Sequence, residues 1–278
     1  MIMVSPTGAR LTKRDHPMVP LTVPEIVTTS RACVLAGAEA LHLHVPDGAG
    51  NHSLDVGRYS EDLTEIDTAL PGFPVQITTE SANRFSPSDQ LRLLRGLAPK
   101  WASIAVREVM ADATVAQRVY DVCADTGTRV QHIVYDAHDI QTLRACMTRG
   151  AIPEAPDILL VLGSYAQGRP ATVDEVLPRV SALPERARWM LCAFGPNEHA
   201  CLHTAALLGG DLRVGFENSL TQADGTVWAS VEASVAALCA HRDPPIVGAA
   251  LWPGPQDLLQ NRSPTSTHLN PTGPIRRP

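Results

Sequence analysis

No apolar stretch in this chain approaches the roughly 20 residues a membrane-spanning helix needs, and none of its six cysteines belongs to a Cys-x-x-Cys pair. The first absence excludes a helical membrane protein. The second leaves Cys33, Cys123, Cys146, Cys192, Cys201 and Cys239 as scattered, reduced structural thiols. The opening Met1-Ile2-Met3-Val4-Ser5 lacks a basic leader, so a cytoplasmic protein is expected. Charge of one sign is scarce too. The net charge of −6 comes from interspersed acidic and basic residues, which predicts neither a nucleic-acid surface nor a polybasic membrane contact. Any anionic ligand must then be held by local arginines.

What is present is core-forming material: 278 residues, 44% of them hydrophobic, suffice for one large α/β core. Short β-rich runs at 2–5, 40–45, 74–79, 101–106, 129–135, 157–163, 188–194 and 212–217 read as strands. Amphipathic stretches near 24–36, 56–69, 87–97, 112–126, 138–149, 172–182, 197–208 and 226–241 read as the helices between them. Several open on a cap or a first-turn proline, as at Thr22 before Pro24-Glu25 and Ser86 before Pro87. Eight βα units whose strands are apolar on both faces predict a single (β/α)8 TIM barrel rather than a doubly wound sheet. The barrel is expected over residues 1–252. From 253 to 278 the chain is proline-rich and without period, which predicts a flexible C-terminal tail, or an extended arm draped over a neighbouring subunit.

The most informative local pattern is His42-Leu43-His44, at the end of an apolar strand and before the turn Pro46-Asp47-Gly48. Alternate strand residues share a face, so the two imidazoles lie side by side and can converge on one metal ion. A third, anionic ligand is then needed. In a barrel the site lies at the C-terminal strand ends, and these carry Thr78, Thr79, Glu80, Ser81, Arg107, Glu108, Gln131, His132, Tyr135, Arg213, Glu217 and Asn218. Glu217, ending strand eight, can face strand two across the mouth. A His-His-Glu set suits Zn²⁺, with Mn²⁺ or Co²⁺ as alternatives. Two rival motifs are weaker. His199 and His203 are four apart on a helix, but Glu198 precedes the first histidine, where the protease motif has its glutamate after it. The loop Gly163-Ser164-Tyr165-Ala166-Gln167-Gly168 lacks the Lys-Ser/Thr ending of a phosphate loop.

Taken together, Pro6-Thr7-Gly8-Ala9, His16-Pro17, Val19 to Ile26, Ala36-Gly37-Ala38, His42-Leu43-His44-Val45 and Arg213-Val214-Gly215-Phe216-Glu217-Asn218 give a chain that resembles the β-keto acid cleavage enzymes, the group that includes 3-keto-5-aminohexanoate cleavage enzyme. The resemblance implies a (β/α)8 fold, a homotetramer, and a divalent metal on His42, His44 and Glu217. It also implies exchange of a 3-keto acid with acetyl-CoA to give acetoacetate and a new acyl-CoA. Thr78, Thr79 and Ser81 fall in the family's substrate-carboxylate region, and Arg213 matches a catalytic arginine. The match has departures. The best-known member has an aspartate where this chain has Asn218, which does not accept a proton. Glu80-Ser81 replaces a glycine-rich turn, Gln131 an acidic residue, and Pro46 a common arginine. Glu80 or Glu108 is the expected substitute base, with Arg107 beside the substrate. Two other readings stay open: a metal-dependent hydrolase of the HxH barrel type, and a barrel that binds a keto acid or acyl-CoA without turnover.

Overall fold

Strands that are apolar on both faces must be covered on both sides. In the computed structural model, which describes residues 1–164 and 168–240, this is achieved by closure. The strands are β1 (Ile2–Val4), β2 (Ala40–Leu43), β3 (Val75–Thr78), β4 (Trp101–Ala105), β5 (Arg129–Val134), β6 (Asp157–Leu162), β7 (Arg188–Ala193) and β8 (Asp211–Val214). Each pairs in parallel with its chain neighbour, and β1 pairs with both β2 and β8, closing an eight-stranded barrel. The alternating inward residues Met3, Ala40, Trp101, Ala105, Ile133, Leu159, Val161, Met190 and Cys192 fill its interior. The outward set, among them Ile2, Val4, Leu41, Leu43, Ile104 and Leu160, packs under the surrounding helices.

Those helices are α1 (Val23–Leu35), α2 (Val56–Ala69), α3 (Pro87–Leu97), α4 (Ala113–Thr126), α5 (Ala137–Thr148), α6 (Val176–Ser181), α7 (Glu198–Leu207) and α8 (Val231–Ala240). Their starts follow local chemistry. Ser86 and Asp89 form a capping box ahead of Pro87. Asp136 accepts from the backbone N–H groups of His138 and Asp139 at the start of α5. None of the helices among the described residues is long and apolar enough to cross a membrane. Cys33, Cys123, Cys146, Cys192 and Cys201 are buried free thiols.

Four differences from the sequence expectation lie around the mouth. The second strand stops at Leu43, and Val45–Pro46 turns aside to pair antiparallel with His52–Ser53. Asp47 locks that hairpin by accepting from the N–H groups of Ala49 and Asn51. Arg107 and Glu108 sit in a one-turn helix, Val106–Val109, directly after β4. Strand eight stops at Val214, because Gly215 adopts φ +143° and a Cβ there would lie 2.3 Å from the Ser5 carbonyl oxygen. The last helix begins at Val231 rather than near 226, since Val227 bridges to Thr221 and Trp228 donates to the Leu220 carbonyl. The expected domain end at 252 and the tail from 253 lie outside the described residues.

Candidate active site

His42 is held from behind before anything reaches it from the front. Its backbone is in register with Gln76 on β3, and its Nδ1 donates to Gln76 Oε1 at 2.7 Å. Gln76 Nε2 in turn donates to Gln131 Oε1 at 3.0 Å. With Nδ1 carrying the proton, the Nε2 lone pair faces the barrel mouth, the tautomer a metal ligand needs. Burial keeps His42 uncharged, with a pKa well below the ordinary histidine value, and the nearby Arg213 charge adds to the effect.

His44 follows just past the strand end, its Nε2 3.2 Å from His42 Nε2. Glu217 reaches across from the turn after β8, 3.4 Å from His44 Nε2 and 3.7 Å from His42 Nε2. The three ligand atoms lie within 4.8 Å of one another and all three residues are buried. Burial disfavours a charged Glu217, but Arg213, whose Nη2 donates to Oε1 at 3.3 Å, outweighs it and holds the carboxyl well below its ordinary value. Ser5 Oγ donates to the other carboxylate oxygen. Gly8 permits this placement, since a Cβ there would lie 2.7 Å from Glu217 Cγ. Two imidazole nitrogens facing one carboxylate form a donor set that fits a divalent transition-metal ion.

The cluster borders a cavity of about 260 Å³ at the C-terminal ends of the strands, lined in part by His42, Thr78, Glu80, Arg107, Glu108, Tyr135, Arg213 and Glu217. Glu80 pairs with Arg10 at 3.2 Å and lies 4.0 Å from His44 Nε2. Glu108 is held by the Ser81 N–H at 2.9 Å, the Ser81 hydroxyl at 2.7 Å and Gln90 Nε2 at 3.2 Å. Burial raises its pKa, with repulsion from Glu80 in the same direction and the Ser81 bonds opposing. Arg107 lines the cavity, yet its guanidinium is occupied by Asp139 and Asp136 and stacks 4.6 Å from the Tyr135 ring centroid.

Thr79, Ser81 and Asn218, expected at the site, are turned away from the cavity. The Thr79 hydroxyl donates to the Ser103 carbonyl at 2.9 Å, and Ser81 is directed to Glu108. Asn218 points behind the site, its Nδ2 donating to the Arg213 carbonyl and to Glu198 Oε1, each at 3.1 Å. Of the rival motifs, His199 bonds Ser234 Oγ at 2.9 Å and packs 4.9 Å from Trp228; 165–167 of the glycine loop lie outside the described residues.

Sequence reasoning missed Ser5, Gln76, Arg10 and Glu198. Period-two alternation would have found Gln76, two residues before Thr78 on one face. Ser5 directly follows the first strand and falls under the strand-end rule. Glu198 carries no such signal, since only the fold brings the start of α7 behind β8.

The barrel as a whole is similar to ObcA in a binary complex with oxaloacetate (TM-score 0.60, 16% identity, covering 81% of this chain), although the chain spans only 63% of that structure. It is also similar to a type I 3-dehydroquinate dehydratase from Clostridium difficile (TM-score 0.57, 13% identity, covering 86% of this chain and 91% of that one). At such identities these likenesses speak to the fold. In sequence, it is 24% identical to a 3-keto-5-aminohexanoate cleavage enzyme from Fusobacterium nucleatum, over 77% of this chain and 80% of the relative. It is 28% identical to a 3-oxoadipate:acetyl-CoA acetyltransferase from Cupriavidus necator, over 90% and 92% of the respective lengths. The family model described as beta-keto acid cleavage enzyme matches residues 1–242, and with that span covering nearly all of the barrel, the chain belongs to the beta-keto acid cleavage enzyme family.

Proposed function

We propose that this chain is an acyl-exchanging enzyme that converts a 3-keto acid and acetyl-CoA into acetoacetate and a new acyl-CoA. The observation that carries this reading is the convergence of His42, His44 and Glu217 beside a cavity that also presents Arg213, Thr78, Glu80 and Glu108. The acyl group of the keto acid moves to the CoA sulfur and the acetyl group moves to the released carboxymethyl carbon, so the atoms balance without a redox partner. A divalent ion held by His42, His44 and Glu217, for which Zn²⁺ is the best fit with Mn²⁺ and Co²⁺ close behind, would act as a Lewis acid on the keto group and lower the cost of an enolate.

This chain's own groups supply the rest. Arg213 is the buried cation facing the cavity, and with the Thr78 hydroxyl it is suited to orient the substrate carboxylate. Arg107, tied to two aspartates, is better suited to shape the wall than to bind an anion. Proton transfer falls to Glu80 or Glu108, the two carboxylates that line the cavity apart from Glu217. Glu108 is the better base of the two, because three hydrogen bonds fix its position and burial raises its proton affinity. Asn218 and Ser81 serve as positioning residues, and Thr79 secures the strand end. We further assign the barrel domain to residues 1–252, a tail to 253–278, a cytoplasmic location and a homotetrameric state, as the family resemblance and the five buried free thiols Cys33, Cys123, Cys146, Cys192 and Cys201 suggest.

Acetoacetate formation from acetyl-CoA across a panel of 3-keto acids tests the reading. Release of acetoacetate together with a matching acyl-CoA is the expected result. Metal-dependent hydrolysis without acetyl-CoA would replace it with the hydrolase reading, and binding without turnover would leave only a keto acid or acyl-CoA carrier.

A further inference from the structure

A second cavity, of about 600 Å³, lies at the opposite end of the barrel, where β5, β6 and β7 begin. Its volume falls in the range of small-molecule sites. Two buried polar atoms in its wall have no hydrogen-bond partner among the described residues: His132 Nε2 and the Tyr120 hydroxyl. His132 is 2% exposed and Tyr120 8%. Their rings stack with centroids 5.8 Å apart at an interplanar angle of 29°, and both residues line the cavity beside the apolar Cys123, Val130, Ala151 and Pro153.

The protonation state of His132 follows from its surroundings. His132 Nδ1 donates to the Asp157 carbonyl at 3.0 Å, which leaves Nε2 as a bare acceptor. Burial keeps the ring neutral, with a pKa of about 4. A neighbour that donates to Nε2 and accepts from the phenol would satisfy both atoms, and a hydroxyl does both. Left unmet, both atoms bear the desolvation penalty of a buried polar group without a partner.

The mouth has the opposite character. Arg129, Asp157 and Arg188 are the charged residues that line the cavity. Arg129 and Asp157 pair with each other, and Arg129 also stacks on Trp101 at 4.3 Å. Arg188 is exposed and forms no ion pair among the described residues. The mouth therefore carries one cation in excess, available to an anion.

We propose that this cavity is a second small-molecule site, for a compact carboxylic acid whose apolar body carries a hydroxyl at the end remote from the carboxylate. The hydroxyl donates to His132 Nε2 and accepts from Tyr120, the body covers the apolar wall, and the carboxylate meets Arg188. Nothing in the exchange reaction requires this end of the barrel, so its occupant is distinct from the keto acid at the mouth.

The probe is 4-hydroxybenzoate, with benzoate and phenol for comparison, added to the full chain and followed by saturation-transfer NMR and calorimetry. The acid bearing both groups is expected to bind more tightly than either comparator. Arg188→Ala, at an exposed position, should weaken it by about tenfold, the order of one lost charge-assisted hydrogen bond, while leaving phenol unaffected. Tyr120→Phe should narrow the gap between 4-hydroxybenzoate and benzoate. Absence of binding to the wild-type chain overturns the proposal and assigns the two orphan atoms to buried water. Binding that survives Arg188→Ala and Tyr120→Phe but disappears in His42→Ala also overturns it, by locating the probe at the other end of the barrel.

Discussion

Glu198 offers the sharpest test of how the site is supported. It is the first residue of α7, 1% exposed, and its Oε1 accepts from the Gly215 N–H and from Asn218 Nδ2, both at 3.1 Å, while Oε2 has no hydrogen-bond partner among the described residues. Burial pushes its pKa up from 4.5 to about 8, against the two hydrogen bonds and the Arg213 charge. The unfolded chain releases this proton near the ordinary value and the native chain keeps it until about 8. Between those limits the native state binds more protons, so stability is full below the unfolded value and falls as pH rises through the native one. The gap between 4.5 and about 8, at about 1.4 kcal/mol per pH unit, sets a ceiling of about 5 kcal/mol on the loss. Glu198→Gln keeps the shape and an acceptor oxygen for Gly215 and removes the titration. Urea unfolding of both metal-stripped chains from about pH 5 to about pH 9 should show the wild type losing several kcal/mol relative to the variant. Metal is stripped because a cation on His42, His44 and Glu217 would itself stabilise the Glu198 anion. Parallel stability profiles would refute the assignment of a buried, protonated Glu198.

Other outcomes follow from the same geometry. His42→Ala and Glu217→Ala should each lose the metal by elemental analysis while circular dichroism stays native; stoichiometric metal in both would sink the ligand set. Gln76→Leu frees His42 Nδ1 and leaves Gln131 Oε1 without its donor, so metal affinity by competitive chelation should fall about 10- to 100-fold. Glu108→Gln should cut turnover by about 10²- to 10⁴-fold with metal retained, and Glu80→Gln by less; full turnover in both would exclude either as base. Gly215→Ala forces a Cβ against the Ser5 carbonyl at φ +143° and should cost about 2–3 kcal/mol in unfolding experiments, with unchanged stability contradicting the role given to that turn.

The barrel could be read from the chain because its signals are local and repeated. Eight β-rich runs apolar on both faces, each followed by a capped amphipathic stretch, leave few other ways to bury both sides of a parallel sheet. Where the reading slipped, a single residue outweighed the local pattern. Gly215 cut strand eight short, Asp47 turned the end of strand two into a hairpin, and the bridge at Val227 delayed the last helix. The His42-Leu43-His44 pair was legible for the same reason as the strands: a period of two places both rings on one face.

By itself, then, the sequence determined the architecture, the end of the barrel that carries the candidate site, and the identity of the candidate ligands, all of which depend on short-range periodicity and on the order of elements. Only the tertiary structure decided what each side chain does there. It tied Arg107 to Asp136 and Asp139, directed Thr79 and Ser81 into the scaffold, and turned Asn218 toward Glu198. It also brought Gln76 behind His42 and Ser5 beside Glu217. The physical reason is that a hydrogen-bond partner is set by distance and angle to within a few tenths of an ångström, and closing a barrel brings together residues more than 200 positions apart, as with Ser5 and Glu217.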